Sequence, residues 1–164
     1  MNLYAGGGKF FRLETPQDLL DKLRRDYGRI LQEPANSDCA FDFFNTANCM
    51  VDWVWPSDRI AQRKAREADP VLRVCAHLAD GAKHFLLTTP HRGVSAIEHV
   101  PAAFAKDAFA PGAFASQAFQ CKDELIVTLD ADESAALGGA RLSVPTLGKI
   151  VLNYWEKRIG GPLT

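Results

Sequence analysis

The stretch DCAFDFFNTANCMVDWVWPSDRIAQRKAREADPVLRVCAHLADGAKHF, residues Asp38–Phe85, decides the fold of this 164-residue chain. Its apolar side chains recur three and four positions apart, which predicts two helices, Phe41–Trp55 and Val71–Leu87. A proline follows the first helix, and another opens the second, where its missing N–H costs little. The charged segment between them, Ser57–Asp69, is predicted to be either a short exposed helix or a mobile connector. We expect the two apolar helices to form the centre of the fold.

Each predicted helix carries one narrow polar stripe opposite its apolar face, since residues three and four apart lie on one side of a helix. The first stripe consists of Asn45, Asn48 and Asp52, and the second of Arg73, His77, Asp80 and His84, with Lys83 at its border. If the stripes face each other, the histidines, aspartates and arginine would supply a general acid, a general base and an anion-binding group. The alternative is that each stripe is the solvent-facing side of an amphipathic helix.

A metal site is a weaker interpretation of the same residues. Asp80 and His84, at positions i and i+4, would bind an ion together with Asp52 from the neighbouring helix. Zinc or iron would need at least one more His or Cys ligand, for which Cys49 borders the first stripe. His77 and His84 are about 10.5 Å apart along the helix axis, too far to bind one ion together. We therefore predict neither a metal nor a cofactor.

The rest of the chain predicts a mainly α (α+β) fold, a bundle of about four helices with a β-hairpin before the C-terminal helix. Thr15 and Pro16 open a first helix, which Pro34 ends. Residues 125–129 and 140–144 are predicted as the two hairpin strands, and 147–159 as the last helix. We expect residues 1–164 to form a single domain. Its parts are a flexible arm at 1–13 containing Gly6–Gly8, a helical core at 14–88, an irregular loop at 89–122, and the hairpin with the C-terminal helix at 123–159.

The predicted irregular loop repeats the dipeptide Ala-Phe every five residues, and its phenylalanines are Phe104, Phe109, Phe114 and Phe119. On a helix a spacing of five would place successive rings about 140° apart, and on a strand it would place them on opposite faces. Neither regular element gathers the rings on one side. We therefore expect these phenylalanines to anchor the loop to the helices or to a second chain, as the interface of a homodimer.

Composition and charge exclude several classes of protein. With 19 basic and 20 acidic residues the net charge is −1, which does not support nucleic-acid binding. The first nine residues have no signal-peptide pattern, and no apolar run approaches the roughly 20 residues of a membrane span. A cytoplasmic protein is the expectation. The four cysteines form no CxxC pair, and we expect Cys49 and Cys75 to be buried, reduced thiols.

The core pattern resembles a family of small uncharacterised proteins from bacterial and phage genomes. The residues that carry the resemblance are Thr15-Pro16 with Leu19-Leu20, Ala40-Phe41-Asp42-Phe43-Phe44, Thr46-Ala47, Asp52-Trp53, Val74-Cys75, Ala79, Gly81-Ala82-Lys83-His84-Phe85 and Tyr154-Trp155. The resemblance implies a helical domain with a small β-hairpin, of phage or mobile-element origin, and no established activity. The family pattern has His where this chain has Cys49, and Asn where it has Asp80.

Two classes of function follow. The first is a binding or assembly module that acts as a homodimer; its small-molecule ligand, if it has one, is not identified by any motif. The alternative is a ribonuclease of the HEPN type, or another hydrolase, that uses the polar stripes. HEPN domains are small, helical and often dimeric, and this chain resembles them in architecture and residue type. Their motif places four to six residues between Arg and His, whereas Arg73 and His77 are separated by three.

Overall fold

The computed structural model describes residues 13–83, 93–101 and 122–160, and about 70% of this part of the chain is helical. A small antiparallel sheet accompanies the helices, so the predicted mainly α (α+β) class is confirmed. The described elements, in chain order, are α1 (Pro16–Gln32), α2 (Ser37–Val54), α3 (Arg59–Ala68), α4 (Pro70–Lys83), β1 (Val94–Val100), β2 (Glu124–Leu129), α5 (Ala131–Leu137), β3 (Arg141–Ser143) and α6 (Val144–Gly160).

Local sequence explains where the helices begin. The Thr15 side chain accepts a hydrogen bond from the N–H of Asp18, and the Asp18 carboxylate accepts one from the N–H of Thr15, which completes a capping box for α1. The Asn36 side chain caps α2 by accepting hydrogen bonds from the backbone N–H groups of Asp38 and Cys39. This helix therefore begins at Ser37, four residues before its predicted start at Phe41. The charged connector is a helix, α3, which Asp58 caps.

The prediction of about four helices was too low, since the described residues contain six. One of the two additional helices is α3, which the sequence left open. The other is α5, in a stretch predicted as the turn of a hairpin. Its sequence, ADESAAL, joins helix-forming alanines to acidic residues in the first turn, and both stabilise a helix. Gly138 ends it with a φ of +86°, a conformation that glycine adopts without strain.

The sheet also differs from the prediction, because it has three antiparallel strands in the order β1-β2-β3 rather than two. β2 and β3 pair as predicted, with Val127 opposite Leu142, but α5 connects them. Residues 94–100, expected within the irregular loop, form β1. This strand lacks the apolar alternation of a half-buried strand, because Val94, Ile97 and Val100 are three apart. The predicted interface phenylalanines, Phe104, Phe109, Phe114 and Phe119, lie outside the described residues, as do Gly6–Gly8 and 84–87.

The helices and the sheet share one hydrophobic core. α6 contributes Trp155, Leu147 and Val151, all fully buried. β2 contributes its buried side chains on one face of the sheet, with Val127 at their centre. The central pair predicted from sequence, α2 and α4, packs into the same core. The other large buried side chains are Leu20, Leu23, Ile30, Phe43, Met50, Val51, Leu72 and Val74.

α1 and α6 approach each other closely at Gly148. A Cβ atom added to Gly148 would lie 3.1 Å from Cδ2 of Tyr27. The Tyr27 ring has little freedom to move away, since its hydroxyl donates to the Pro145 carbonyl oxygen at 3.3 Å and its face packs against Phe43. The small residue at 148 therefore sets the distance between these helices. Gly28, also on α1, has open space around its Cα.

We expect Gly148→Ala to lower the free energy of unfolding by about 1–3 kcal/mol, because the added methyl group overpacks the contact with Tyr27. Gly28→Ala is the matched control and should raise it by about 0.5–1 kcal/mol, since alanine stabilises a helix interior and here meets no neighbour. Urea denaturation measures both changes. A stabilisation of similar size at the two positions would contradict the close packing of α1 on α6.

Candidate functional site

The polar stripe of α2 lies against α3. Arg66 of α3 donates from Nε to the Asn48 side-chain oxygen and from Nη2 to the Asp52 carboxylate, both at 3.3 Å. The third member, Asn45, donates its amide to the carbonyl oxygen of Phe41 at 2.9 Å. Its Oδ1 is buried and has no hydrogen-bond partner in the described part of the chain. The stripe thus serves largely to attach the short exposed helix α3.

The polar stripe of α4 contacts α3, α5 and β1. Arg73 Nε donates to the buried Glu133 carboxylate of α5 at 2.6 Å, and its Nη1 donates to the carbonyl oxygen of Glu67, also at 2.6 Å. His77 Nδ1 accepts from the N–H of Val94 in β1 at 3.1 Å. Because Nδ1 accepts here, it carries no proton in this arrangement. These hydrogen bonds fix α5 and β1 to α4.

The residues of the predicted shared cleft bond to several neighbouring elements: Asp52 to α3, Arg73 to both α3 and α5, and His77 to β1. Asp80 is half-buried and Lys83 is exposed at the end of α4. His84, which both the catalytic and the metal interpretations need, lies outside the described residues. Within those residues, no group of three or more His, Cys, Asp or Glu side chains is arranged to hold a metal ion.

In the part of the chain that the structure describes, the surroundings of Cys75 and Tyr154 favour the protonated, less reactive form. Cys75 is buried and Cys49 half-buried, both as free thiols, and burial raises the pKa of the Cys75 thiol, which disfavours the nucleophilic thiolate. Burial, aided by the negative charge of Asp69, raises the pKa of Tyr154 to about 12, so this phenol stays protonated at neutral pH.

A buried polar cluster between α1 and α2 is a feature that sequence reasoning did not identify as one site. The Thr46 hydroxyl lies 2.9 Å from the carboxylate of Asp26 and accepts from Lys22 Nζ, which also pairs with Asp26. Asp26 and Thr46 are about 5% exposed. The position of Asp26 between Leu23 and Ile30, at helical spacing, was the available signal. The three side chains satisfy one another, so the cluster joins two helices and leaves no group directed at a ligand.

An apolar groove is bounded by α2, α4 and the helix-facing side of the sheet. It encloses about 220 Å³, and its lining includes Phe41, Phe44, Leu78, Ala82, Ile97 and Val127. Phe41 and Ile97 stand at its mouth, 44% and 55% exposed, whereas most large apolar side chains of the described core are buried. The groove can bind an apolar surface, and it has no charged residue among those that line it. Sequence reasoning missed it because Ile97 lies in a segment predicted to be irregular.

Comparison with known proteins adds no family: no protein-family model, no curated protein and no solved structure matches the chain. In the residues that the structure describes, every helix is too short or too polar to cross a membrane.

Arg73 of the α4 stripe and Arg66 of α3, which bonds the α2 stripe, differ in the burial of their acidic partners, and this gives a test of their roles. We expect Arg73→Met to lower the free energy of unfolding by about 3 kcal/mol, because the carboxylate of Glu133, 3% exposed, would be left buried without its cation. Arg66→Met is the matched control and should change it by less than about 1 kcal/mol, since Asp52 is 56% exposed. Thermal and urea denaturation measure both, and equal effects would contradict a structural role for Arg73.

Proposed function

We propose that this protein is a binding module that assembles as a homodimer through the apolar groove. The observation that carries the proposal is the pair of exposed side chains, Phe41 and Ile97, that line one groove from two different elements. Single exposed apolar residues are ordinary, but neighbouring ones around a concave surface are typical of a contact site. Their position at the mouth leaves both accessible to a partner.

The proposed partner is a second copy of the chain. In a two-fold symmetric dimer both subunits use the same patch, so a single interface buries the exposed side chains of both copies. The net charge of −1 imposes little repulsion between copies. The contact would be made mainly by apolar side chains. Such a contact does not require a different protein whose charge complements that of this chain.

The polar stripes support a binding module over a hydrolase. Asp52 and Arg73 are engaged by Arg66 and Glu133 within the same chain, and His77 uses Nδ1 to hold β1. A catalytic acid or base would instead have to direct its reactive atom into a pocket that also holds the substrate. The HEPN-like ribonuclease or other hydrolase remains a prediction from sequence, as does the phage or mobile-element origin, and no described contact favours either.

We expect the wild-type protein to be a dimer in sedimentation equilibrium. We expect Phe41→Ser to weaken the dimer by more than about tenfold, because the change removes an exposed aromatic anchor from both subunits, and two losses of about 1 kcal/mol each exceed the roughly 1.4 kcal/mol of a tenfold change. Ile60→Ser is the matched control: Ile60 is 62% exposed, on α3, and does not line the groove. Circular dichroism establishes that both variants are folded.

A monomeric wild-type protein at high micromolar concentration would contradict the proposed function. So would a Phe41→Ser variant whose dimer dissociation constant equals that of Ile60→Ser, since the groove would then make no special contribution.

A further inference from the structure

β1 is an edge strand with open hydrogen-bonding groups. In the part of the chain that the structure describes, β1 pairs with β2 on one side and has no strand on the other. The Leu129 N–H donates to the carbonyl oxygen of Ala140, on the β3 side, so Leu125, Val127 and Leu129 direct their backbone groups away from β1. Ile97 lies opposite Val127, and His99 opposite Leu125. The N–H and C=O groups of Ile97 and His99 therefore point outward from the sheet.

We propose that the dimer forms by antiparallel pairing of β1 with β1 of a second copy, with Ile97 on the two-fold axis. This inference rests on the proposed homodimer and specifies its interface. The pairing joins the two three-stranded sheets into one of six strands. Ile97 of each subunit would exchange two backbone hydrogen bonds with the partner's Ile97. His99 would lie opposite the partner's Ser95, which is the extra residue of a bulge between Val94 and Ala96, so the regular pairing is centred on Ile97 and ends there.

The charges and backbone groups of β1 select this register over its neighbours. A shift that places Glu98 on the axis would set two glutamates directly opposite each other, which is destabilising. A shift to His99 would place Ile97 opposite the partner's Pro101, which has no N–H to donate. A shift in the other direction would set His99 opposite the partner's Gly93, whose N–H and C=O already bond Asp130.

With Ile97 on the axis, these conflicts are absent and the apolar surfaces meet. Ile97 lies on the side of the sheet that faces the groove, beside Phe41, so the two isoleucines would contact each other next to both grooves. On the opposite side of the sheet, Ala96 would lie across from the partner's Glu98. The small side chain of Ala96 leaves room for the glutamate. The pairing thus covers the most exposed apolar residue of β1 without burying a charge against a like charge.

Disulfide trapping tests the register. Ile97→Cys would place two thiols in a hydrogen-bonded pair, with Cα atoms about 5.5 Å apart, within the range that a disulfide spans. Glu98→Cys is the matched control, since in this register the two Glu98 positions are offset diagonally by two residues and are too far apart to be bridged. Under mild oxidation above the dimer dissociation constant, non-reducing electrophoresis should show a covalent dimer for Ile97→Cys well above the wild-type background, and none for Glu98→Cys.

Amide hydrogen exchange of the unmodified protein gives an independent measurement. Dilution below the dimer dissociation constant should speed exchange at the N–H of Ile97 by more than about tenfold, and leave Glu98, whose N–H bonds β2, unchanged. If the wild-type protein is a dimer but Ile97→Cys forms no crosslink, the edge pairing is overturned and the homodimer still stands. The same holds if dilution changes the exchange rates of Ile97 and Glu98 equally. A wild-type monomer would overturn both proposals.

Discussion

The positions of α5 and of the sheet depend on how α4 is held on two sides. Its apolar face, with Leu72, Val74 and Cys75, enters the core against α2. Its polar face carries Arg73, which is paired with the buried carboxylate of Glu133, and His77, which accepts from the backbone of β1. A buried carboxylate is tolerated only beside a cation or several donors, so the position of α5 is linked to that of α4. Since α5 connects β2 to β3, this ion pair also orients the sheet.

Much of the helical part of the fold was predictable from periodicity and capping. The stretch 38–85 predicts both central helices, and Thr15-Pro16 predicts the start of α1, because helical periodicity and capping depend on residues close together in the chain. The sheet was not predictable in the same way. β1 has its apolar residues three apart and depends on pairing with a strand more than twenty residues later in the chain, a contact that no local pattern encodes. α5 was missed because its acidic first turn and its terminal glycines also suit a turn.

The candidate site illustrates a second limit of sequence reasoning. Amphipathic spacing correctly places Asn48 and Asp52, and likewise Arg73 and His77, on common helix faces. It cannot say which element covers a face, and here the covering elements are ones that the sequence left open or predicted differently: α3, α5 and β1. Polar groups that look available for catalysis are therefore used to attach short elements to the bundle. The exposed residues Phe41 and Ile97, by contrast, look like ordinary core residues in the sequence.

The two edges of the sheet differ in how well they are protected from another strand. β3 has only three residues and continues directly into α6, so it offers little edge for pairing. β1 has seven, and its two charged or titratable residues are drawn back toward their own subunit: Glu98 accepts from Arg141 of β3 across the sheet at 2.9 Å, and His99 Nε2 lies 3.4 Å from the Asp123 carboxylate. Charges that would otherwise guard an edge are thus engaged on the faces of the sheet. The bulge between Val94 and Ala96 interrupts the beginning of this edge, so the regular part available for pairing is centred on Ile97. A long edge with an exposed isoleucine and few free charges is the kind of strand that natural proteins cover, which supports the proposed pairing with a second copy.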